Sequence, residues 1–449
     1  MNNDLGNPLS LGTAKISKLL AYYALPSVIT MITSSIYNIV DSIFIGHGVG
    51  AMAISGLAVT FPLMNLMTAF GTLVGVGAAA LTSIKIGQKD YNTAVKLLSN
   101  LVILNISLGL VVMVIGLAFL KPILTLFGAS ETLLPYAYDY MRYILYGNII
   151  THLYFGLNSL LRSSGYPRLA MIIPLITIVL NCILDALFIF VFHLGIKGAA
   201  IATVIAQVFG LVIELIHFFN PKSFIHFKKD LFRFDMRLAG ESISIGLAPF
   251  LVNAVSCIVV IFINKSLKSI GGDISIGAYG IINRITLLFV MVVLGVTQGM
   301  QPILGFNYGA KKYDRLKDTL KLGNIIATII MTAGFILCMF FPHSIARMFT
   351  DDEQLIKISV EGLRYSSIAF PIAGIGMVVS NFFQSIGKVG QSILLSLTRQ
   401  VIFLIPMLII LPPILGTVGV WLSIPISDTA SSLLAFFMAR KQIRKLTAV

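Results

Sequence analysis

The sequence predicts an all-α integral membrane protein of twelve transmembrane helices in two pseudo-symmetric lobes of six, and three observations carry that prediction. Hydrophobic residues make up 57% of the 449 and charged ones only 11%, so water is not the main solvent of this surface. Apolar runs of about 20 residues or more, each able to cross about 30 Å of hydrocarbon, recur along the whole length. They are long and continuously apolar, as helices require, whereas barrel strands are short alternations. Finally, the chain repeats itself at a constant offset of 222 residues: Gly87-Gln88-Lys89-Asp90-Tyr91 returns as Gly309-Ala310-Lys311-Lys312-Tyr313, Phe127 and Glu131 as Phe349 and Glu353, Arg142-Tyr143 as Arg364-Tyr365, and Gly165 as Gly387.

The elements follow in order. The first span, 16–45, begins beside Lys15 and Lys18; its run from Leu19 to Ile45 is too long for a signal-peptide core and ends without a small-residue cleavage site, so it stays in the membrane. Spans 52–83 and 93–119 flank a loop bearing Lys85 and Lys89, with Lys96 just beyond. Spans 134–162 and 168–192 flank Arg162 and Arg168, and 197–219 closes the first lobe, residues 1–219. A basic linker, 220–237, carries Phe224, Phe227, Leu231 and Phe234 at helical spacing among lysines and arginines and reads as an amphipathic helix on the cytoplasmic interface. The second lobe, 238–449, repeats the pattern with 238–268, 275–305, 318–341, 357–386, 391–414 and 417–440. Six is even, so the two copies enter the bilayer in the same direction, related by an axis along its normal. Prolines 26, 62, 174, 249, 302, 371, 406 and 425 lie inside spans. Each removes a backbone hydrogen bond and bends or weakens its helix.

The formal net charge of +14 does not point to nucleic acid, because the basic residues fall in alternate loops. One side of the map holds 22 Lys or Arg and the other 8, which makes the first side cytoplasmic and places both termini there. The excess charge reads as topology and anionic lipid contact. Cys182, Cys257 and Cys338 all lie in apolar spans and read as small core residues.

Charges inside spans carry the functional signal. The first span has Tyr37, Asn38 and Asp41 on one stripe, with Ser34 a turn earlier, and the fifth has Thr177, Asn181 and Asp185 spaced four apart. A carboxylate in hydrocarbon costs at least several kcal/mol unless paired or hydrated, so such residues face interior cavities and serve transport. From Arg168 to Asp185 is 17 residues, about 25 Å of helix. Thr203 lies about two turns into the sixth span, which runs the other way, so Asp41, Asn181, Asp185 and Thr203 can meet at one level. On the repeat offset Asp41 falls at Ile263 or Asn264, Asn181 at Phe403 and Asp185 at Met407, so the second copy lacks these acids. Neither helix offers a Lys or Arg within a turn, which leaves the carboxyls able to exchange a proton or accept a sodium ion.

The second lobe has its own exceptions in Arg284, Arg399, Asp428 and Gln301, of which Arg284 or Arg399 can neutralise Asp428. Tyr154 and Asn158, one turn apart, either line a cavity or join two helices. Met31, Met64, Met67 and Phe70 either wall an adaptable cavity or pack the core.

Several motifs together resemble the multidrug and toxic compound extrusion family: Tyr37-Asn38-Ile39-Val40-Asp41-Ser42-Ile43-Phe44-Ile45-Gly46 followed by Gly56-Leu57-Ala58, the Gly87-Gln88-Lys89 and Gly309-Ala310-Lys311 loops, Arg162-Ser163-Ser164-Gly165 with Gln384-Ser385-Ile386-Gly387, and Asn181-Cys182-Ile183-Leu184-Asp185. The resemblance runs over nearly the whole chain. It implies two six-helix lobes around a central cleft, no enzymatic activity and no cofactor, and antiport of organic cations against inward H⁺ or Na⁺ across a bacterial cytoplasmic membrane. By position, Asp41, Asn181, Asp185 and Thr203 match the cation site of the amino lobe in members of the family, with Pro26 matching the point where their first helix bends. The implied partners are small organic cations and membrane lipids, with the chain acting as a monomer. Some members also use acids of the carboxy lobe; here Glu241 and Glu361 lie near span ends. A lipid-linked oligosaccharide flippase of the same superfamily is the alternative; it calls for a strongly basic central cavity, and in-span basic residues are few.

Overall fold

The computed structural model describes residues 5–447, the side chains of Asn38, Ile39, Ala51, Asp273 and Thr447 excepted. The regular structure of the described residues is all helical, with no strand among them. Helices α1 (Ile16–Gly48), α2 (Ala51–Gly87) and α3 (Tyr91–Ala118) are followed by the short α4 (Leu120–Leu126). Then come α5 (Leu134–Tyr146), α6 (Asn148–Ser163), α7 (Pro167–Ala186) and α8 (Ile196–Phe219), with a π-helical turn at Leu187–Val191 after α7. Beyond the linker are α9 (Met236–Gly272), α10 (Ile274–Gly309) and α11 (Tyr313–Phe340), the short α12 (Pro342–Arg347), and α13 (Glu353–Ser367) and α14 (Phe370–Ser385). The chain closes with α15 (Val389–Leu415) and α16 (Thr417–Thr447).

Ten of these helices are long and apolar enough to cross a membrane, and the pair α13–α14, bent by 55°, makes an eleventh. The bend precedes Pro371, which has no N–H to continue the ladder. The remaining expected span, 134–162, is present as α5 and α6, which meet at Gly147. A Cβ there would stand 2.5 Å from Val204 Cγ2, so the glycine lets α8 close on the joint.

The 222-residue repeat is written into the backbone as well as the sequence. Gly50 and Gly272, which separate α1 from α2 and α9 from α10, have φ of 113° and 67°. Lys89 and Lys311, at the same register, have φ of 63° and 57°, and Gly165 and Gly387 have 99° and 72°. Lysine in the left-handed region is uncommon, so its recurrence marks one loop design used twice.

The chain forms two compact units. The first comprises Ile29–Phe250 with the residues up to Thr13, and the second Ala14–Val28 with the chain from Leu251 on. The N-terminal ends of α1 and α9 therefore pack away from their own copy, and glycine seams receive them. In the first unit α9 lies so close to α2 that a Cβ on Gly77 would stand 1.8 Å from Ser242 O, and one on Gly246 1.7 Å from Leu73 O. In the second, a Cβ on Gly299 would stand 2.4 Å from Ala24 Cα and one on Gly295 2.6 Å from Val28 Cα. Such small-residue crossings let helix backbones touch where lipid supplies no hydrophobic drive.

The linker corrects the sequence expectation. It is irregular apart from one 3₁₀ turn at Lys229–Leu231. Its aromatic residues fold back instead of lining a helix: Phe227 meets Phe218, Phe219 and Phe232, and Phe224 meets Tyr91. Asn100 of α3 clamps the far end, accepting from Asp235 N at 3.0 Å and donating to Arg233 O at 3.4 Å. Side-chain bonds to the backbone at Asn220 and Ser223 compete with a helical ladder at the near end.

Candidate functional site

In the first unit a group of polar side chains lies where α1, α5, α7 and α8 meet. From α1 come Tyr37 and Asp41, from α5 Tyr140, from α7 Asn181 and Asp185, and from α8 Thr203. Asp185 is 0% exposed, Asn181 3%, Asp41 7% and Tyr140 2%. The hydroxyls of Tyr37 and Thr203 are 3.4 Å apart, and Thr203 also donates to Ala199 O at 3.0 Å. Asp41 and Asp185 act on each other through space, and both act on Tyr37, Tyr140 and Cys182. Among the described residues no hydrogen bond reaches Asp41 Oδ1, either carboxylate oxygen of Asp185, or Asn181 Nδ2. The structure thus brings together the four residues predicted for the cation site, Asp41, Asn181 and Asp185 buried and Thr203 half-buried.

Local structure sets this geometry. Four-residue spacing puts Thr177, Asn181 and Asp185 on one face of α7, all three buried. Immediately after Asp185 the backbone widens into the π-helical turn, a feature frequent at functional sites. That turn packs on the C-terminal end of α1: a Cβ on Gly48 would stand 2.1 Å from Ile189 Cγ2, and the rings of Phe44 and Phe190 meet edge to face at 6.2 Å. The contact fixes α1 beside α7, and hence Asp41 beside Asp185.

Two buried carboxylates, an amide and hydroxyls offer oxygen ligands only. That set suits a hard cation or protons. Among the described residues no group of three or more His, Cys, Asp or Glu is placed to hold a metal ion.

The other predicted positions are placed as follows. Asn158 is buried and donates to Ala170 O and to Glu214 Oε1, each at 3.1 Å. Ala170 O is the carbonyl that Pro174 would have satisfied had it an N–H, so Asn158 repairs the proline break in α7. Tyr154 is 5% exposed and sits with Thr177 against Gly210. Met67 lies in the hydrophobic core of this unit with Met64 packed against it, and Met31 is half-buried. Pro26 falls inside α1, just before the point where that helix passes from the second unit to the first. The side chain of Asn38 lies outside the described residues.

In the second unit Arg399, in a π-helical stretch of α15, pairs with Asp428 at 2.5 Å, and Gln400 donates to Ser256 at 2.8 Å. Of the two arginines considered from sequence, Arg399 is the partner. Sequence reading missed Tyr140, which carries no charge to set it apart, and Glu214, a lone acid in an apolar run that could have been flagged by the rule that found Asp185.

A family model described as MatE matches residues 26–187 and 245–410. The chain is 28% identical over 434 residues to the multidrug export protein MepA of Staphylococcus haemolyticus, covering 97% of this chain and 95% of that protein. Among solved structures it is similar to the MATE multidrug transporter DinF-BH in complex with R6G, with TM-score 0.90 and 35% identity, covering 98% of each chain. An outward-facing multidrug resistance MATE family transporter of the MOP superfamily shares the fold, with TM-score 0.92 and 24% identity over 98% of each chain.

Proposed function

The chain belongs to the MatE family, and from that premise we propose that it is a cation-coupled antiporter that exports organic, cationic amphipathic compounds. It is a multi-pass membrane transporter and not an enzyme. Both termini face the cytoplasm in this reading, and the membrane is the bacterial inner membrane. The observation that carries the reading is the buried pair Asp41 and Asp185: among the described residues no hydrogen bond reaches Asp41 Oδ1 or either carboxylate oxygen of Asp185. The lipid-linked oligosaccharide flippase is not favoured, since the relatives it matches are multidrug exporters.

In the proposed cycle the substrate enters from the cytoplasmic side while the pair is ionised. H⁺ or Na⁺ then binds among Asp41, Asn181, Asp185 and Thr203, removing the mutual repulsion of the two carboxylates. Coupling requires ion and substrate to favour different states of one two-state element. The bend of α1 at Pro26 is that element: drawing Asp41 toward Asp185 moves the outer part of α1 against a fixed inner part, and the substrate leaves outward.

Uptake of ethidium into inverted vesicles tests the proposal, with an imposed pH gradient and then an imposed sodium gradient. Wild type is expected to accumulate the dye under one of the two. Asp41→Asn and Asp185→Asn, which keep shape but lose the charge, should each reduce gradient-driven uptake to background at unchanged expression. Wild-type uptake by either variant would overturn the reading.

A further inference from the structure

Glu214 takes no part in the coupling proposed above. It lies on α8 eleven residues beyond Thr203, about 16 Å along the helix, at the end that leads into the linker. The residue is 0% exposed. Asn158 donates to Oε1 at 3.1 Å and, among the described residues, no hydrogen bond reaches Oε2. Among the described residues its carboxylate closes no ion pair.

The charged and titratable groups around it are few. Arg162 and Tyr154 act on it from α6, and no group of α5 or α7 does so. On α8 itself His217 is one turn further on; its ring lies edge-on against Tyr166 and no hydrogen bond reaches its Nε2. This shell selects among ligands. A metal cation needs several oxygens, whereas here the amide N–H of Asn158 takes one carboxylate oxygen and only Oε2 is left over. A proton needs one oxygen, and it removes the penalty of an unpaired buried charge.

We propose that Glu214 is a second proton-binding carboxyl of the first unit, distinct from the Asp41 and Asp185 pair. It holds a proton in the arrangement seen here and releases it when Arg162 moves onto the free oxygen. In that step the O–H bond of the carboxyl breaks, the proton passes to water at the linker end of α8, and the guanidinium neutralises the carboxylate left behind. A line of polar groups, Asp185, Asn181 and Thr177 along α7 and then Tyr154 and Asn158 on α6, connects the two acidic positions. Thr177 Oγ1 and the Tyr154 ring meet at one spot, each 2.7 Å from where a Gly210 Cβ would stand. Use of this proton in transport rests on the antiport reading; its presence does not.

Infrared difference spectroscopy on the purified protein, between acid and alkaline buffer, tests the site. A protonated-carboxyl carbonyl band is expected at neutral pH, absent in Glu214→Gln and shifted in wild-type protein grown on isotope-labelled glutamate, which serves if the variant fails to fold. Arg162→Gln should extend the band to more alkaline pH, because the neutralising cation is gone. Proton release on adding ethidium, followed with a pH dye, should fall in Glu214→Gln. A wild-type spectrum without a glutamic acid band at neutral pH overturns the proposal, as does a band and proton release unaltered in Glu214→Gln. Loss of gradient-driven uptake in Asp41→Asn with the Glu214 band intact leaves this site standing, so the two readings fail separately.

Discussion

Asn158 shows what a single side chain does here. It satisfies a carbonyl freed by Pro174 and one oxygen of Glu214 at once, so Asn158→Ala leaves two buried acceptors unmade. We expect a loss of about 1–3 kcal/mol per group, read as a lower unfolding temperature in detergent. Asp90 works at the surface. Partial burial pushes its carboxyl up, but hydrogen bonds from Thr93 and the charges of Lys85 and Lys96 outweigh this and hold it below the ordinary carboxylate range. Its cap on α3 is therefore present above that range and fades as pH falls through the lowered value. The difference in unfolding temperature between wild type and Asp90→Ala should be small and should close on acidification. Asp41, Asn181 and Asp185 were legible in the sequence because polar groups four apart in an apolar run have one economical explanation. Asn158 left two readings open, since an amide serves a cavity and a helix contact equally well. Glu214 was open to the rule that found Asp185, as a lone acid in an apolar run.

At the scale of elements, the seam between α2 and α9 is the most demanding contact in the first unit. Gly77→Val places a side chain on the Ser242 carbonyl, and overpacking of this kind costs typically about 1–3 kcal/mol. Gly240→Ala is the control: a Cβ there meets nothing within 4 Å, and alanine favours a helix by about 0.5–1 kcal/mol. Thermal unfolding of the two variants should move in opposite directions; a stable Gly77→Val protein would show that the seam is looser than described. Helix order and the loops of the repeat were readable from apolar length and the glycine and lysine register. The split of span 134–162 at Gly147 was not, because a glycine inside an apolar run does not announce the neighbour it admits. The linker misled for a related reason: Phe224, Phe227 and Phe234 keep helical spacing while packing individually onto Tyr91, onto α8, or outward.

For the whole molecule, the duplicated sequence and the compact units do not share boundaries. The repeat suggests a cut within the linker, whereas the first unit retains α9 as far as Phe250 and the second takes Ala14–Val28 from α1. Fragments ending and beginning in the linker should therefore fail to fold alone and fold when co-expressed, as judged by gel filtration in detergent. A monodisperse solitary fragment would refute this. The offset was invisible in sequence, since Pro26 and Pro249 mark where both helices can bend but not to which partner their inner ends adhere. Reciprocal exchange of one arm also bears on descent: a single-copy ancestor carrying the same seam could bury it only by lending that arm to a twin, so fusion of two genes would have inherited an existing handshake rather than created one.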